Sequence, residues 1–129
     1  MPFMICEYAD PLDAATRERV AKSITRATHE VIGSPLDLIN VVLRQPDRNQ
    51  IWLAAEPSDV AIILCFIRAG RSQARRTELA LRMSKAWHEA VGTPESSIEV
   101  AVFETPAAQT AKGGKILPEP PFSVETEAA

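Results

Sequence analysis

The sequence has little that would suit a nucleic-acid-binding or membrane protein. Its 14 lysines and arginines are outnumbered by 17 aspartates and glutamates, so no basic excess is present to neutralise phosphates. No apolar run approaches the roughly 20 residues that a membrane-spanning helix needs, and the N-terminus lacks the basic segment and cleavage site of a signal peptide. We therefore expect a cytoplasmic protein that binds neither nucleic acid nor membrane.

Cysteine is also scarce. The two cysteines, Cys6 and Cys65, lie inside apolar, strand-like runs and lack the spacing of metal ligands. This placement favours small core residues in a reducing compartment, and the sequence therefore predicts no metal and no cofactor. At 129 residues, of which 46% are hydrophobic and 24% charged, the chain has the size and composition of one globular domain.

Apolar periodicity predicts alternating strands and helices. Strands are predicted at the N-terminus and at residues 38–43, 60–67 and 98–103, and amphipathic helices at 14–32 and 73–91. Residues 50–53 are typical of a short hairpin strand, and residues 113–118 of a short extended contact. The last residues, from about Phe122, are expected to be loose.

The two halves of the chain repeat each other at a shift of 59 residues. The segment Thr28–Pro35 falls on Trp87–Pro94, and Cys6 falls on Cys65. We therefore predict a single α+β domain of two fused βαβ units, about residues 2–44 and 60–103, followed by a C-terminal tail, 104–129. The units would form one four-stranded mixed sheet with both helices on one face, and the uncovered apolar face would favour self-association.

Pro2 is the first candidate for chemistry. Removal of Met1, which is usual before a small residue, would leave Pro2 as a free secondary amine. The pKa of an α-amino group lies near 7.7–8.0, and burial or nearby cations lower it, so this amine could act as a general base near neutral pH. The alternative interpretation is that Met-Pro is simply a tolerated start of a strand.

Arg68 and Arg71 follow the buried 60–67 run, at a strand end where ligands commonly gather. Two guanidinium groups three residues apart could converge on one carboxylate, although surface arginines after a strand are also common. If the two central strands run antiparallel, both arginines approach Pro2, where they would lower the pKa of its amine and hold an acidic substrate. His29 and His88, equivalent in the repeat, fall on helix faces turned away from the core and are expected at the surface.

The initial Met-Pro, the two βαβ units and the strand end Ile67–Ser72 resemble the tautomerase superfamily, and within it the cis-3-chloroacrylic acid dehalogenase group. The similarity covers most of the chain, through segments 20–25, 66–72, 104–107 and 116–118. It implies a homotrimer with the sheets inside and the C-terminal tails lying across neighbours. It also implies that Pro2 is the catalytic base or acid and that Arg68 and Arg71 bind a substrate carboxylate.

The sequence departs from the dehalogenase pattern at three positions. The helix histidine of that group falls at Thr28, its tyrosine at Ala101 and its water-activating glutamate at Lys112, while His29 lies about 100° too far around the helix to substitute. Thr28 would either hydrogen-bond a substrate oxygen or pack on the helix flank, and Lys112 would either add charge to the pocket or be a surface lysine.

Adding water to a haloacrylate requires a group that activates the water, and the sequence lacks that group. We therefore expect a cofactor-independent tautomerase that acts on a small 2-oxo or enol acid. The alternatives are a weak hydratase or dehalogenase of short unsaturated acids, or a non-catalytic interaction module with the same fold.

Overall fold

Within residues 1–47 and 49–124, which the computed structural model describes, the chain forms two βαβ units joined edge to edge. The elements in chain order are β1 (Phe3–Glu7), α1 (Ala14–Ile32), β2 (Asn40–Arg44), β3 (Trp52–Leu53), β4 (Glu56–Pro57), β5 (Ala61–Arg68), α2 (Gln73–Val91), β6 (Ile98–Thr105), β7 (Ala111–Lys112) and β8 (Lys115–Ile116). Short 3₁₀ turns precede β2 and β6. Pairs β3–β4 and β7–β8 are two-residue hairpins outside the main sheet.

The main sheet has the strand order β2-β1-β5-β6. Strands β1 and β2 are parallel, as are β5 and β6, whereas the central strands β1 and β5 run antiparallel, with Phe3 opposite Phe66. The predicted four-stranded mixed sheet is confirmed. Because β1 and β5 are antiparallel, the residue before β1, Pro2, lies beside the end of β5 at Arg68.

The two helices begin and end at the same positions of the repeat. Asp13 caps the start of α1 by accepting a hydrogen bond from Thr16 N at 2.7 Å, and Ser72 caps α2 in the same way. Gly33 and Gly92 end the helices with φ of 68° and 92°, a left-handed conformation that favours glycine. Neither described helix is long and apolar enough to cross a membrane.

The histidines lie at the helix ends and on the surface, as predicted. His29 Nδ1 is 2.7 Å from Ser34 O, and His88 Nδ1 is 2.7 Å from Thr93 O, which is the same contact 59 residues later. Both side chains are exposed. Each histidine therefore contacts the backbone just beyond the end of its own helix.

The core lies between the sheet and the two helices. It is built from alternate strand residues and one stripe of each helix, including Met4, Cys6, Ile63, Cys65 and Ile67 from the sheet and Val20, Ile24, Leu79 and Met83 from the helices. Burial raises the pKa of both cysteine thiols to about 12, so they stay neutral core groups.

The opposite face of the sheet carries no helix. Phe3, Val42 and Phe103 are 42%, 40% and 45% exposed there, and the rings of Phe66 and Phe103 stack with centroids 5.0 Å apart. This apolar face is the uncovered surface that the sequence predicts.

Several strand ends differ from their predicted positions by one or two residues, and the tail differs from its predicted disorder. Strand β2 begins at Asn40 rather than residue 38, because Leu36–Leu38 forms a 3₁₀ turn, and β6 continues to Thr105. The prediction of a loose chain from Phe122 is wrong for Phe122–Val124, since Val124 N donates to Gly70 O at 2.6 Å. The final residues, 125–129, lie outside the described part.

Candidate active site

Pro2 is buried at the start of β1 and its backbone is fixed by β2. The carbonyl of Pro2 accepts hydrogen bonds from Asn40 N at 3.0 Å and from Asn40 Nδ2 at 3.4 Å. The pKa of the amino group of Met1, one residue earlier, is lowered by burial and then by the cations Arg68 and Lys112. The amino end of the chain therefore lies in a positively charged region.

Arg68 is the least satisfied polar side chain of this region. It is 2% exposed, and its Nη1 donates to Pro118 O at 2.7 Å. Among residues 1–47 and 49–124, its buried Nε and Nη2 have no hydrogen-bond partner. These two nitrogens form one edge of the guanidinium, which matches the two oxygens of a carboxylate. Because a buried unpaired donor costs about 1–3 kcal/mol, this edge is suited to an anionic ligand.

Arg71, in contrast, is engaged entirely with its own chain. Its Nε donates to Ile32 O at 3.2 Å and to Pro121 O at 3.0 Å, and its Nη2 donates to Ile32 O at 2.9 Å and to Ser34 Oγ at 3.2 Å. Its Nη1 donates to Arg68 O at 3.1 Å. Burial, then the neighbouring Arg68, lowers the pKa of Arg71 to about 10. Arg71 was expected to bind a substrate carboxylate, but each of its three side-chain nitrogens already donates to an acceptor of its own chain.

Thr28, one of the predicted substrate contacts, lies buried between α1 and α2. It is 0% exposed, and its hydroxyl donates to Ile24 O at 2.8 Å and lies 3.9 Å from Met83 Sδ on α2. The flank of the α1 stripe is buried because α2 packs against it. Of the two alternatives for Thr28, helix-flank packing is the one that the geometry supports.

Lys112 lies on β7 near the amino end. Its Nζ donates to Asp37 O at 2.5 Å, in the 3₁₀ turn that leads into β2, and its charge contributes to the lowered pKa of the Met1 amine. Lys112 is exposed. Ala101 lies on the exposed face of β6, and His29 points into solvent, so neither is placed with Pro2 and Arg68.

Sequence reasoning missed the role of the tail. Pro118 O and Pro121 O accept hydrogen bonds from Arg68 and Arg71, each 50 residues earlier in the chain. Backbone carbonyls carry no signature in a sequence. The only signal was the extended segment predicted at residues 113–118, which ends at the proline that contacts Arg68.

No family model and no curated protein matches the sequence, whereas solved structures do. N1, a member of the cis-3-chloroacrylic acid dehalogenase family, matches with a TM-score of 0.88 at 24% identity, over 98% of this chain and 89% of that chain. A fused 4-OT, an asymmetric trimer, matches with a TM-score of 0.85 at 20% identity, over 89% and 95%. Pt0534 inactivated by 2-oxo-3-pentynoate matches with a TM-score of 0.84 at 23% identity, over 90% and 96%. The protein therefore has the fold of the tautomerase superfamily, as the sequence resemblance implied.

Proposed function

We propose that the protein is a cofactor-independent tautomerase of small 2-oxo or enol acids. Pro2 is the base and acid, and Arg68 binds the substrate carboxylate. The observation that carries the proposal is the buried Arg68 edge, Nε and Nη2, which lacks a partner and lies at the strand end beside Pro2. A carboxylate matches such an edge with two parallel, charge-assisted hydrogen bonds.

The proton transfer needs only the Pro2 nitrogen. Once Met1 is removed, the secondary amine of Pro2 takes the proton from the enol oxygen as the carbonyl forms, and the resulting ammonium returns a proton to carbon. Burial, and then the charges of Arg68 and Lys112, lower the pKa of the Met1 amino group, and the same surroundings would keep more of a free Pro2 amine in the basic form near neutral pH. The same charges attract an acidic substrate.

One relative supports the choice of 2-oxo acids. Pt0534, at 23% identity, is inactivated by 2-oxo-3-pentynoate, which is a 2-oxo acid. If this chain has a basic Pro2 beside Arg68, the amine should add to the triple bond of the same compound, and the amine proton should move to the adjacent carbon. The adduct then has the combined mass of chain and compound.

The test is intact mass spectrometry after incubation with 2-oxo-3-pentynoate, followed by peptide mapping. We expect one label per chain, on Pro2, in protein that has lost Met1, together with loss of phenylenolpyruvate ketonisation. Protein that retains Met1 is the matched control and should remain unlabelled at this site. Labelling of a different residue, or full enol–keto turnover by Pro2→Ala, would defeat the proposed base.

We also propose that the chain forms a homotrimer through the open face of the sheet. The support is the exposed apolar surface around Phe3, Val42 and Phe103, together with the trimeric state of fused 4-OT relatives. Burying a contiguous apolar surface is worth about 25 cal/mol per Å², so this face has a large free-energy incentive to associate.

A further inference from the structure

The tail residues 117–124, here called the C-terminal strap, run across the end of β5. Leu117 N donates to Thr110 O at 3.0 Å, and Val124 N donates to Gly70 O at 2.6 Å, so the strap is fixed at both ends by backbone bonds. Between these points Pro118 O and Pro121 O accept from Arg68 and Arg71. The strap therefore covers the strand end where Arg68 is located.

Phe122 anchors the strap at the end of α1. Its ring packs so closely on Gly33 that a Cβ at that position would lie 2.8 Å from Phe122 Cε2. The guanidinium carbon of Arg75 lies 4.3 Å from the centroid of the same ring, and Arg75 Nη1 donates to Val31 O at 2.9 Å. A cation over an aromatic face contributes about 0.5–2 kcal/mol. The ring, which is 37% exposed, thus contacts both the helix end and a cation.

Arg71 connects three elements at this point. It bonds the end of α1 through Ile32 O, the end of β5 through Arg68 O, and the strap through Pro121 O. A buried guanidinium whose nitrogens are all paired in this way is rigid, since any movement leaves a buried charge unsatisfied. Arg71 therefore fixes the position of the strap relative to the backbone of Arg68.

The repeat-equivalent positions, 59 residues away in the chain and at the opposite end of the domain, provide a comparison without these side-chain contacts. The repeat position of Arg71 is Leu12, that of Arg68 is Ala9, and a Cβ on Gly92, the mate of Gly33, would meet nothing within 4 Å. The bond from Leu117 N to Thr110 O recurs in the repeat as Ser58 N to Ile51 O at 2.9 Å, whereas the arginine and phenylalanine contacts of the strap are specific to the end of the domain that carries Pro2 and Arg68.

We propose that Arg71 is a positioning residue that acts with Phe122 to dock the strap, so that Pro118 O holds Arg68 Nη1 and fixes the orientation of the buried Nε–Nη2 edge to which we assign the substrate carboxylate. Arg71 itself does not touch the carboxylate, in contrast to the paired role that the family resemblance implies. This inference rests on the proposed function, because it assigns to Arg68 alone the binding of the substrate carboxylate.

The expected effects follow from this division of roles. Phe122→Ala retains the side chains of Arg68, Arg71 and Pro2 but releases the strap that orients Arg68, so KM for an enol acid should rise about 10-fold with kcat within about twofold. Arg71→Gln should have the same effect, and Phe122→Tyr, which keeps the ring, should retain the wild-type KM. For the methyl ester of the same enol acid, which Arg68 does not bind as an anion, Phe122→Ala and Arg71→Gln should leave kcat/KM within about twofold.

The experiment measures kcat and KM of these variants with phenylenolpyruvate and with its methyl ester, and the pH profile of kcat/KM. The acid limb should move to higher pH in Arg68→Gln, because that cation lowers the pKa of the amine, but stay in place in Phe122→Ala and Arg71→Gln. Leu81→Ala, an exposed position on α2, is the control for a tolerated truncation. If Arg71→Gln raises KM while Phe122→Ala does not, Arg71 binds the carboxylate directly and the inference is wrong.

Two further measurements keep the inference separate from the proposed function. Titration calorimetry with phenylpyruvate measures anion binding without turnover. If the protein shows no turnover but Phe122→Ala binds phenylpyruvate more weakly than wild type does, the proposed tautomerase activity is wrong and the proposed role of the strap stands. Absence of binding by the wild type would reject both. Gly33→Ala and Gly92→Ala share the strain of a positive φ, but only Gly33→Ala displaces Phe122, so only it should raise KM; equal KM values would contradict the inference.

Discussion

Replacing Arg68 by methionine should make the protein more stable and less active. The wild-type side chain holds two buried donors without partners, each of which costs about 1–3 kcal/mol. Against this, the substitution loses the bond from Nη1 to Pro118 O, a charged bond worth about 1.5–3 kcal/mol. Methionine fills the apolar part of the space with a flexible chain. The balance is a gain of about 2 kcal/mol in the free energy of unfolding.

The loss of activity has a separate origin. A carboxylate bound to the Nε–Nη2 edge would form two charge-assisted hydrogen bonds, together worth about 3–5 kcal/mol, so kcat/KM should fall by about 10²–10⁴-fold. Arg68→Lys keeps the charge but not the two-donor edge, and should lose less activity than Arg68→Met. The remaining activity of Arg68→Met should also shift to higher pH, because removing this cation raises the pKa of the amine.

Urea denaturation at one fixed protein concentration measures the stability change, since oligomerisation makes stability concentration-dependent. Phenylpyruvate should stabilise the wild type and not Arg68→Met. If Arg68→Met is less stable than wild type by more than about 1 kcal/mol, the two nitrogens are satisfied in the free protein. The argument for an anion at that edge then fails, whatever happens to activity.

Two other predictions concern the core and the open face of the sheet. Thr28→Val should change stability by less than about 1 kcal/mol and kcat/KM by less than about twofold, because the lost hydroxyl makes one short bond, to its own helix, and only a long contact with Met83 Sδ. A fall in kcat/KM at unchanged stability, measured in the same denaturation and ketonisation assays, would restore the substrate contact. Phe103→Glu would place a charge in the proposed interface and should convert the trimer to a monomer of 14.1 kDa in native mass spectrometry. Leu81→Glu, on the exposed face of α2, is the control and should leave the trimer mass unchanged. An intact Phe103→Glu trimer would rule out assembly through this face.

The helices were predictable from sequence because their signals are local and occur twice. A polar N-cap, an apolar stripe of period 3.6 and a glycine followed by proline mark both ends within a few residues. The repeat predicted one four-stranded sheet, but each unit offers two free strand edges, and only the structure shows that the units join through β1 and β5. The structure confirms both helices at the predicted bounds, Ala14–Ile32 and Gln73–Val91.

The details of the site depend on contacts that no local pattern carries. Thr28 was placed correctly on the flank of the α1 stripe, but only the packing of α2 decides that this flank is buried. Arg71 contacts backbone carbonyls and Phe122 contacts a glycine, in both cases far away in sequence. Neither kind of partner has a side chain that would identify it from the sequence. The sequence predicts two arginines at one strand end, and only the hydrogen bonds distinguish the satisfied one from the unsatisfied one.

The repeat provides two equivalent ends of the domain, and the chemistry explains why one of them alone is suited to catalysis. The counterparts of the proposed site residues are Ala61 for Pro2, Ala9 for Arg68 and Leu12 for Arg71. Near Ala61 lies an open cavity of about 340 Å³, bordered by Tyr8 and Trp87. The nitrogen of Ala61 is part of a peptide bond and has no basicity, and no substitution at that position frees this backbone nitrogen. Joining two βαβ units in one chain therefore leaves a single basic nitrogen at a strand start, and labelling by 2-oxo-3-pentynoate should reach one equivalent per chain.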